Sequence, residues 1–337
     1  MTSENLPEYI QSLLHSAAYQ HPAPEIRLIQ THISYVILAG EYVYKFKKPV
    51  DFGFLDFTTL EKRRHCCRQE LLLNRRLSPE IYLDLVTVAR SNGKYALNGP
   101  GEVIEYGVKM VRMPEERMMV NVIKSGQLEK GHIDTLVGVL VPFYEKAEHS
   151  RDIDRFGKAD AVAVNVLENF DQTRDFVGSA ALSQQQFDTI SSYARQFLGK
   201  DEIFAQRVTD GRIRDCHGDL YSANICLADK VYIYDCIEFN ERFRYCDVAS
   251  DIAFLAMDLD FHALADLSAY FVERFIAASQ DSSMRAVLGF YKCYRAYVRG
   301  KIGLFTAGDP AVDEEVRNSC MDGAARYFQL ALQYAAG

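Results

Sequence analysis

Apolar residues at Leu6, Ile10, Leu13, Leu14 and Ala17 mark one face of a helix over 6–20, and Pro22 and Pro24 end it. The period then shortens to two. HISYVILAG and YVYKFKK alternate in the manner of strands, and a turn near Gly40-Glu41 makes them a hairpin. Thr58-x-x-Glu61 has the form of a capping box and opens a helix predicted to reach about Leu77. Strand patterns return at 82–90, 94–98 and 103–112, broken by Asn92-Gly93 and Asn98-Gly99-Pro100-Gly101. Past Met113-Pro114 the helical period takes over at 117–150, 157–178 and 183–199. A short β island at 225–235 interrupts it, and helices resume from 247 to the end with a break at Gly308-Asp309-Pro310. The pattern predicts an α+β chain, with a β-rich part over 1–113 and a helix-rich part over 114–337.

Composition narrows the function classes. The 337 residues are 48% hydrophobic and 25% charged, ample apolar material for a packed core. Lysine plus arginine number 38 against 46 aspartate plus glutamate, a net charge of −8. That balance argues against a nucleic-acid partner, which needs a basic face. No run approaches the roughly 18–20 apolar residues of a membrane span, so no membrane partner is expected. The start Met1-Thr-Ser-Glu-Asn5 lacks a basic-then-apolar leader pattern. The eight cysteines form no C-x-x-C pair, which predicts reduced thiols, no zinc site and a cytoplasmic address. No G-x-x-x-x-G-K-[ST] occurs, so a P-loop is not expected.

The candidate chemistry is concentrated in 215–239, DCHGDLYSANICLADKVYIYDCIEF. Ile225–Leu227 and Val231–Asp235 read as strands folded at 228–230, which would gather Asp219, Asn224 and Asp235 at the open end of a hairpin. Amide and carboxylate oxygens in such a group suit magnesium, which takes a few protein oxygens and leaves places for water and phosphate. A further carboxylate can orient a hydroxyl and accept its proton. Together these are parts for phosphoryl transfer to an alcohol. Turn formation by Asp and Asn is the plainer alternative.

His217-Gly218-Asp219-x4-Asn224 followed by Asp235 resembles the core of the aminoglycoside phosphotransferase-like family, which shares the protein-kinase fold. The resemblance implies a bilobal architecture, with a β-rich small nucleotide-binding lobe over 1–113 and a helical large lobe over 114–337 that carries the acceptor site. It implies Asp219 as catalytic base and Asn224 and Asp235 as magnesium ligands. Asp251-Ile-Ala253 resembles the family's downstream Asp-Leu-Ala element, whose Asp braces the catalytic loop. YVYKFKK places Lys45 where a phosphate-binding lysine belongs, and CRQELLLNRRL places Glu70 as its ion-pair partner. Ser34, in the place of a glycine-rich loop, would contact phosphates, and backbone at Arg112 and Met113 would meet the base. The cofactors implied are ATP, with GTP open, and Mg2+. VYKFKKPVDFGFLDFTTLEKRR further resembles a bacterial subgroup of uncharacterised kinase-like proteins, some of which carry an added P-loop ATPase domain.

Several readings stay open at this level. Lys45 and Lys47 share a strand face, and the apolar approach YVYK favours Lys45. Glu238 could belong to the site or lie outside it. His217 is expected to hold the loop. Asp51-Phe52-Gly53 precedes the loop and so is read as an irregular link with buried phenylalanines. Tyr291, Arg295 and Arg299 recur at i, i+4 on a helix over 286–305, either packed with salt-bridged arginines or forming a wall toward the acceptor. The expected function is an ATP- and Mg2+-dependent small-molecule kinase with a hydroxyl acceptor, and an acidic surface would favour a cationic one. The alternatives are a protein kinase, disfavoured by the short stretch from Asp235 to Asp251, and a non-catalytic nucleotide-binding regulatory module.

Overall fold

A computed structural model of the protein describes residues 6–310 and 312–337. The Met1–Asn5 start lies outside the described residues. The chain divides into two compact units, one over 6–118 and 228–241 and the other over 119–227 and 242–337.

In the first unit, α1 (Glu8–Leu13) precedes β1 (Ile26–Gln30), β2 (Ser34–Ala39) and β3 (Tyr42–Lys47). Next come α2 (Leu60–Asn74), β4 (Tyr82–Ser91), β5 (Lys94–Leu97) and β6 (Glu102–Val111). The strands form one antiparallel sheet in the order β1-β2-β3-β6-β4-β5. Strand alternation gives the sheet two working faces. Tyr44 and Phe46 join Ile37, Val86 and Val88 on the face where Ile10 and Leu13 of α1 are buried. A six-residue helix cannot hold itself in water. Burial of its two apolar side chains, worth about 1.5–3 kcal/mol each, holds α1 in place. On the other face Val43 packs with Cys67 and Leu71 of α2 and with Val108 and Met110. Lys45 and Lys47 lie on this α2 side. β3 and β6 approach closely because position 107 is glycine: a Cβ there would stand 2.5 Å from the Phe46 ring.

Local details depart from expectation. The N-cap of α2 is Thr59, whose hydroxyl accepts from the Lys62 N–H, and not Thr58. Thr58 instead bonds Asp56 at 2.6 Å in the preceding loop. α2 closes at Asn74 rather than Leu77, because a turn over 75–77 takes the chain out of the helix ahead of Ser78 and Pro79. The helix expected over 6–20 is confined to α1 and a 3-10 turn at Ser16–Ala18. In the 51–57 link Phe57 is buried, but Phe52 is 47% exposed and stacks on Phe54 at 6.1 Å.

The second unit is helical, with α3 (Met119–Lys124), α4 (Lys130–Lys146), α5 (Arg151–Asp154), α6 (Ala159–Thr173), α7 (Gln184–Leu198) and α8 (Asp201–Thr209). After the 228–241 excursion follow α9 (Glu241–Arg244), α10 (Val248–Phe261), α11 (Ala265–Ser279), α12 (Arg285–Gly308) and α13 (Glu314–Ala336). From Val248 to Leu259 every residue of α10 is buried, so it is the unit's central element. Its start is fixed by charge. Asp247 accepts from the Ala249 N–H as N-cap, and buried Arg207 donates to Asp247 from Nε at 2.8 Å and from Nη2 at 2.6 Å. Arg207 also pairs with buried Asp281, which completes its neutralisation. Short strands Ile213–Asp215 and Tyr245–Asp247 pair antiparallel beside this cluster. No helix among the described residues is long and apolar enough to cross a membrane.

Candidate active site

Two sets of side chains hold the predicted residues, one in each unit. In the first unit Glu70 projects from α2 with no exposure and receives both lysines of β3. Lys45 Nζ lies 2.9 Å from Glu70 Oε1 and Lys47 Nζ 2.6 Å from Oε2. Lys45 also donates to Asp235 Oδ1 at 2.5 Å, and Lys47 to Glu238. Both lysines are therefore used, at different depths. Lys47 is sealed between two buried carboxylates, while Lys45 reaches Asp235, whose side chain is 44% exposed.

The charges decide each other's protonation. Burial works against both ammonium groups. For Lys45 the carboxylates of Asp235, Glu70 and Glu238 outweigh it and hold the pKa well above the usual lysine value. Lys47 is raised for the same reason, chiefly by Glu238 and Glu70. Burial would raise Glu70, but Lys45 and Lys47 overcome it and keep the carboxyl below its ordinary value. Glu238 is raised, because burial and the neighbouring Glu70 exceed what Lys47 returns.

The segment bearing Asp235 is fastened residue by residue. Ser78 Oγ donates to the Ile233 carbonyl at 2.8 Å. The Asp235 N–H donates to the Tyr82 hydroxyl at 3.0 Å, and the Cys236 N–H to Asn74 Oδ1 at 2.9 Å. These bonds hold Asp235 at φ +62°, a left-handed conformation uncommon outside glycine and one that recurs at functional positions.

In the second unit the 217–219 loop is suspended from α10 and α12. Asp251, in the first turn of α10, is fully buried and accepts from the His217 N–H at 2.7 Å and the Gly218 N–H at 3.0 Å. Tyr144 donates to the same carboxylate at 3.0 Å. Asp251 thus braces the loop, and the N-cap of α10 is Asp247. Gly218 sits at φ +86°, where a side chain would be strained. Buried His217 accepts from the Asp219 N–H through Nδ1 at 3.3 Å, a loop-holding contact. Asn224 Nδ2 donates to the Asp219 carbonyl at 2.9 Å and to Asp219 Oδ2 at 3.0 Å. Ser222 is fixed in turn by its N–H to buried Asp258 at 3.0 Å.

The remaining predicted residues are placed less tellingly. Ser34 opens β2 with its hydroxyl buried and without a hydrogen-bond partner. The Arg112 N–H donates to the Glu41 carbonyl at 2.8 Å. Met113 follows, half-buried beside the α2-face core.

Three features escaped sequence reasoning. Lys47 with Glu238 forms a second ion pair, hidden because three lysines crowd four positions. Tyr144 lies too far away in sequence to signal its contact. Arg295 donates from Nε to Ser250 at 3.2 Å and from Nη1 to the Gly218 carbonyl at 3.0 Å, and stands 3.6 Å from Asp251. Its helical spacing alone did not separate a packed, salt-bridged arginine from a wall, and gave no sign of its bond to the Gly218 carbonyl.

No family model matches the chain. An uncharacterized protein of Mycobacterium tuberculosis is 34% identical over 306 residues, which are 88% of this chain and 60% of that protein. An uncharacterized protein of Mycobacterium bovis matches to the same extent. The chain therefore spans about 60% of the length of these curated relatives. Among solved structures, a choline/ethanolamine kinase family protein from Mesorhizobium loti aligns with a TM-score of 0.52 over 95% of this chain and 94% of its own. At 11% identity that likeness shows the fold, which is the kinase-like one expected, with an antiparallel sheet unit and a helical unit.

Proposed function

We propose that this protein is an ATP- and Mg2+-dependent kinase that transfers the γ-phosphoryl group to a hydroxyl of a small molecule. The observation that carries this reading is the suspension of Asp219. Its loop hangs by two N–H groups from one buried carboxylate, and its own carboxylate is oriented by Asn224 at 3.0 Å. A carboxylate held in this way suits the alignment of a hydroxyl.

In this reading Asp219 accepts the hydroxyl proton as the acceptor oxygen bonds to the γ-phosphorus and the bond to the leaving ADP oxygen breaks. Lys45, kept charged by Glu70, neutralises phosphate oxygens. Asn224 Nδ2 donates to Asp219, and Asn224 and Asp235 are the residues proposed to hold magnesium. Among the described residues no group of three or more His, Cys, Asp or Glu is arranged to hold a metal. Amide and carboxylate oxygens are the ligand types magnesium takes, and it keeps water and phosphate as its other ligands. When bound, it would supply charge neutralisation on the phosphates. Ser34 and backbone at Arg112 and Met113 complete the nucleotide contacts in the proposal.

The test is a phosphorylation screen of a hydroxyl-metabolite library with γ-labelled ATP and GTP, run beside Asp219→Ala. Label should pass to a small molecule with wild type and not with the variant. Transfer to protein alone, or equal transfer by the variant, would overturn the reading.

A further inference from the structure

Arg299 lies one helical turn beyond Arg295 on α12, and the two arginines are treated oppositely. Arg295 spends its guanidinium on Ser250, Gly218 and Asp251. Arg299 is half-buried; among the described residues it forms no ion pair, its polar interaction is with the Tyr327 side chain, and its Nε is buried without a hydrogen-bond partner. Its contacts are aromatic. The guanidinium carbon stands 4.7 Å from the centre of the Tyr221 ring and 5.8 Å from that of Tyr327. Both rings are themselves fixed, Tyr221 stacked on Phe254 at 5.4 Å and Tyr327 on Phe261 at 3.8 Å. The Asp258 carboxylate, whose charge is felt at Tyr327, accepts from the Ser222 N–H.

A guanidinium withdrawn from water with no carboxylate partner and its Nε unsatisfied is costly, and a phenol and ring faces replace only part of what is lost. Arginine's planar fork matches the two oxygens of a carboxylate or phosphate. The position matters as much as the vacancy. Tyr221 is two residues from Asp219, and the Asp219 charge is felt at Arg299: burial works against the guanidinium, while Tyr221, Tyr327 and Asp219 hold its pKa above the ordinary arginine value. An anion approaching Asp219 would be repelled unless a cation stood beside it, and Arg299 stands there.

We infer that Arg299 is the receptor for an oxyanion on the acceptor, so that the substrate is a hydroxyl compound carrying a carboxylate or phosphate group. This inference rests on the kinase reading and deepens it. It selects the opposite sign from the one that the whole-chain charge of −8 would favour, because a contact outweighs a screened long-range field.

The experiment compares matched acceptors that differ in one group: sugar acids and sugar phosphates against the parent sugars, and hydroxy acids against their amides. Anionic members should be phosphorylated in preference to their neutral partners. Arg299→Ala should raise KM for the anionic acceptor roughly 10–100-fold and erase the preference, with KM for ATP unchanged. Arg299→Lys, which keeps the charge and loses the fork, should restore little. Turnover confined to neutral or cationic acceptors, or an unchanged acceptor KM in Arg299→Ala, overturns the inference and leaves the kinase reading intact. If wild type phosphorylates nothing, the kinase reading fails, and the Arg299 Nε–H resonance in 15N spectra still decides anion binding. A shift on adding D-glycerate or glycerol 3-phosphate, and none with glycerol, supports it. No shift with any of them overturns it.

Discussion

Arg295 donates from Nη1 to the carbonyl oxygen of Gly218 at 3.0 Å, so a residue on α12 holds the backbone immediately before Asp219. Its removal strands the buried Asp251 carboxylate. Arg295→Met should lower unfolding free energy by about 3–5 kcal/mol. Arg295 is a positioning residue, and stability alone would not reveal that role. Below the unfolding range, kcat should fall while KM for ATP holds. A variant that loses stability but keeps kcat would reduce Arg295 to packing.

Asp219→Asn keeps the shape and one acceptor oxygen but removes the base. Transfer should fall roughly 10²–10⁴-fold. Nucleotide affinity, measured by calorimetry, should stay within experimental error. A loss of affinity equal to the loss of rate would assign Asp219 to nucleotide binding instead.

The two lysines on Glu70 separate by burial. Lys47→Met leaves two buried carboxylates, Glu70 and Glu238, with one cation fewer, and should destabilise the fold by about 3–5 kcal/mol. Lys45→Met leaves Glu70 paired with Lys47 and returns Asp235 to solvent. Its stability cost should be smaller than that of Lys47→Met. The expected loss with Lys45→Met is in ATP affinity and rate. Chemical denaturation and ATP kinetics on both variants check this, and a reversed pattern would move the phosphate contact to Lys47.

Lys301, on the same helix as Arg295, donates to Gln172 Oε1 at 2.8 Å, and burial pushes its ammonium down to about 8. The sign follows. Below about 8 both folded and unfolded chains hold the proton. Between that value and the ordinary 10.5 the unfolded chain holds more, so this group's contribution to stability rises with pH and then levels. Lys301→Met should remove that rise, seen as the difference between urea unfolding curves. A titration of the 13C-methylated lysine with its midpoint above 10 would contradict it.

Periodicity made most elements legible, because strands and helices bury faces at fixed spacings. The Gly40-Glu41 turn and the break at Gly308-Asp309-Pro310 stand where turn residues announced them. Glu70, Asp219, Asn224 and Asp251 were singled out through the family resemblance of the segments that carry them, and the contacts of Glu70 with Lys45 and of Asp251 with the 217–218 backbone are seen in the fold. What stayed hidden was the identity of partners. A lysine ladder shows which face is charged, not which lysine meets Glu238 and which meets Asp235. An i, i+4 pair of arginines is symmetrical in sequence, yet one is saturated by Gly218 and Ser250 and the other rests on two rings. Such differences come from elements packed from more than a hundred residues away, as Tyr144 against Asp251 shows.

The excursion of residues 228–241 into the first unit bears on how this protein can be recombined. A chimera exchanged at a single crossover near residue 118 would import Asn74, Ser78 and Tyr82 from one parent, and from the other the segment that bonds to them. Lys47 would likewise meet a foreign residue at position 238. Functional hybrids should therefore require two transplanted pieces, and natural variation at these positions should be inherited as a block.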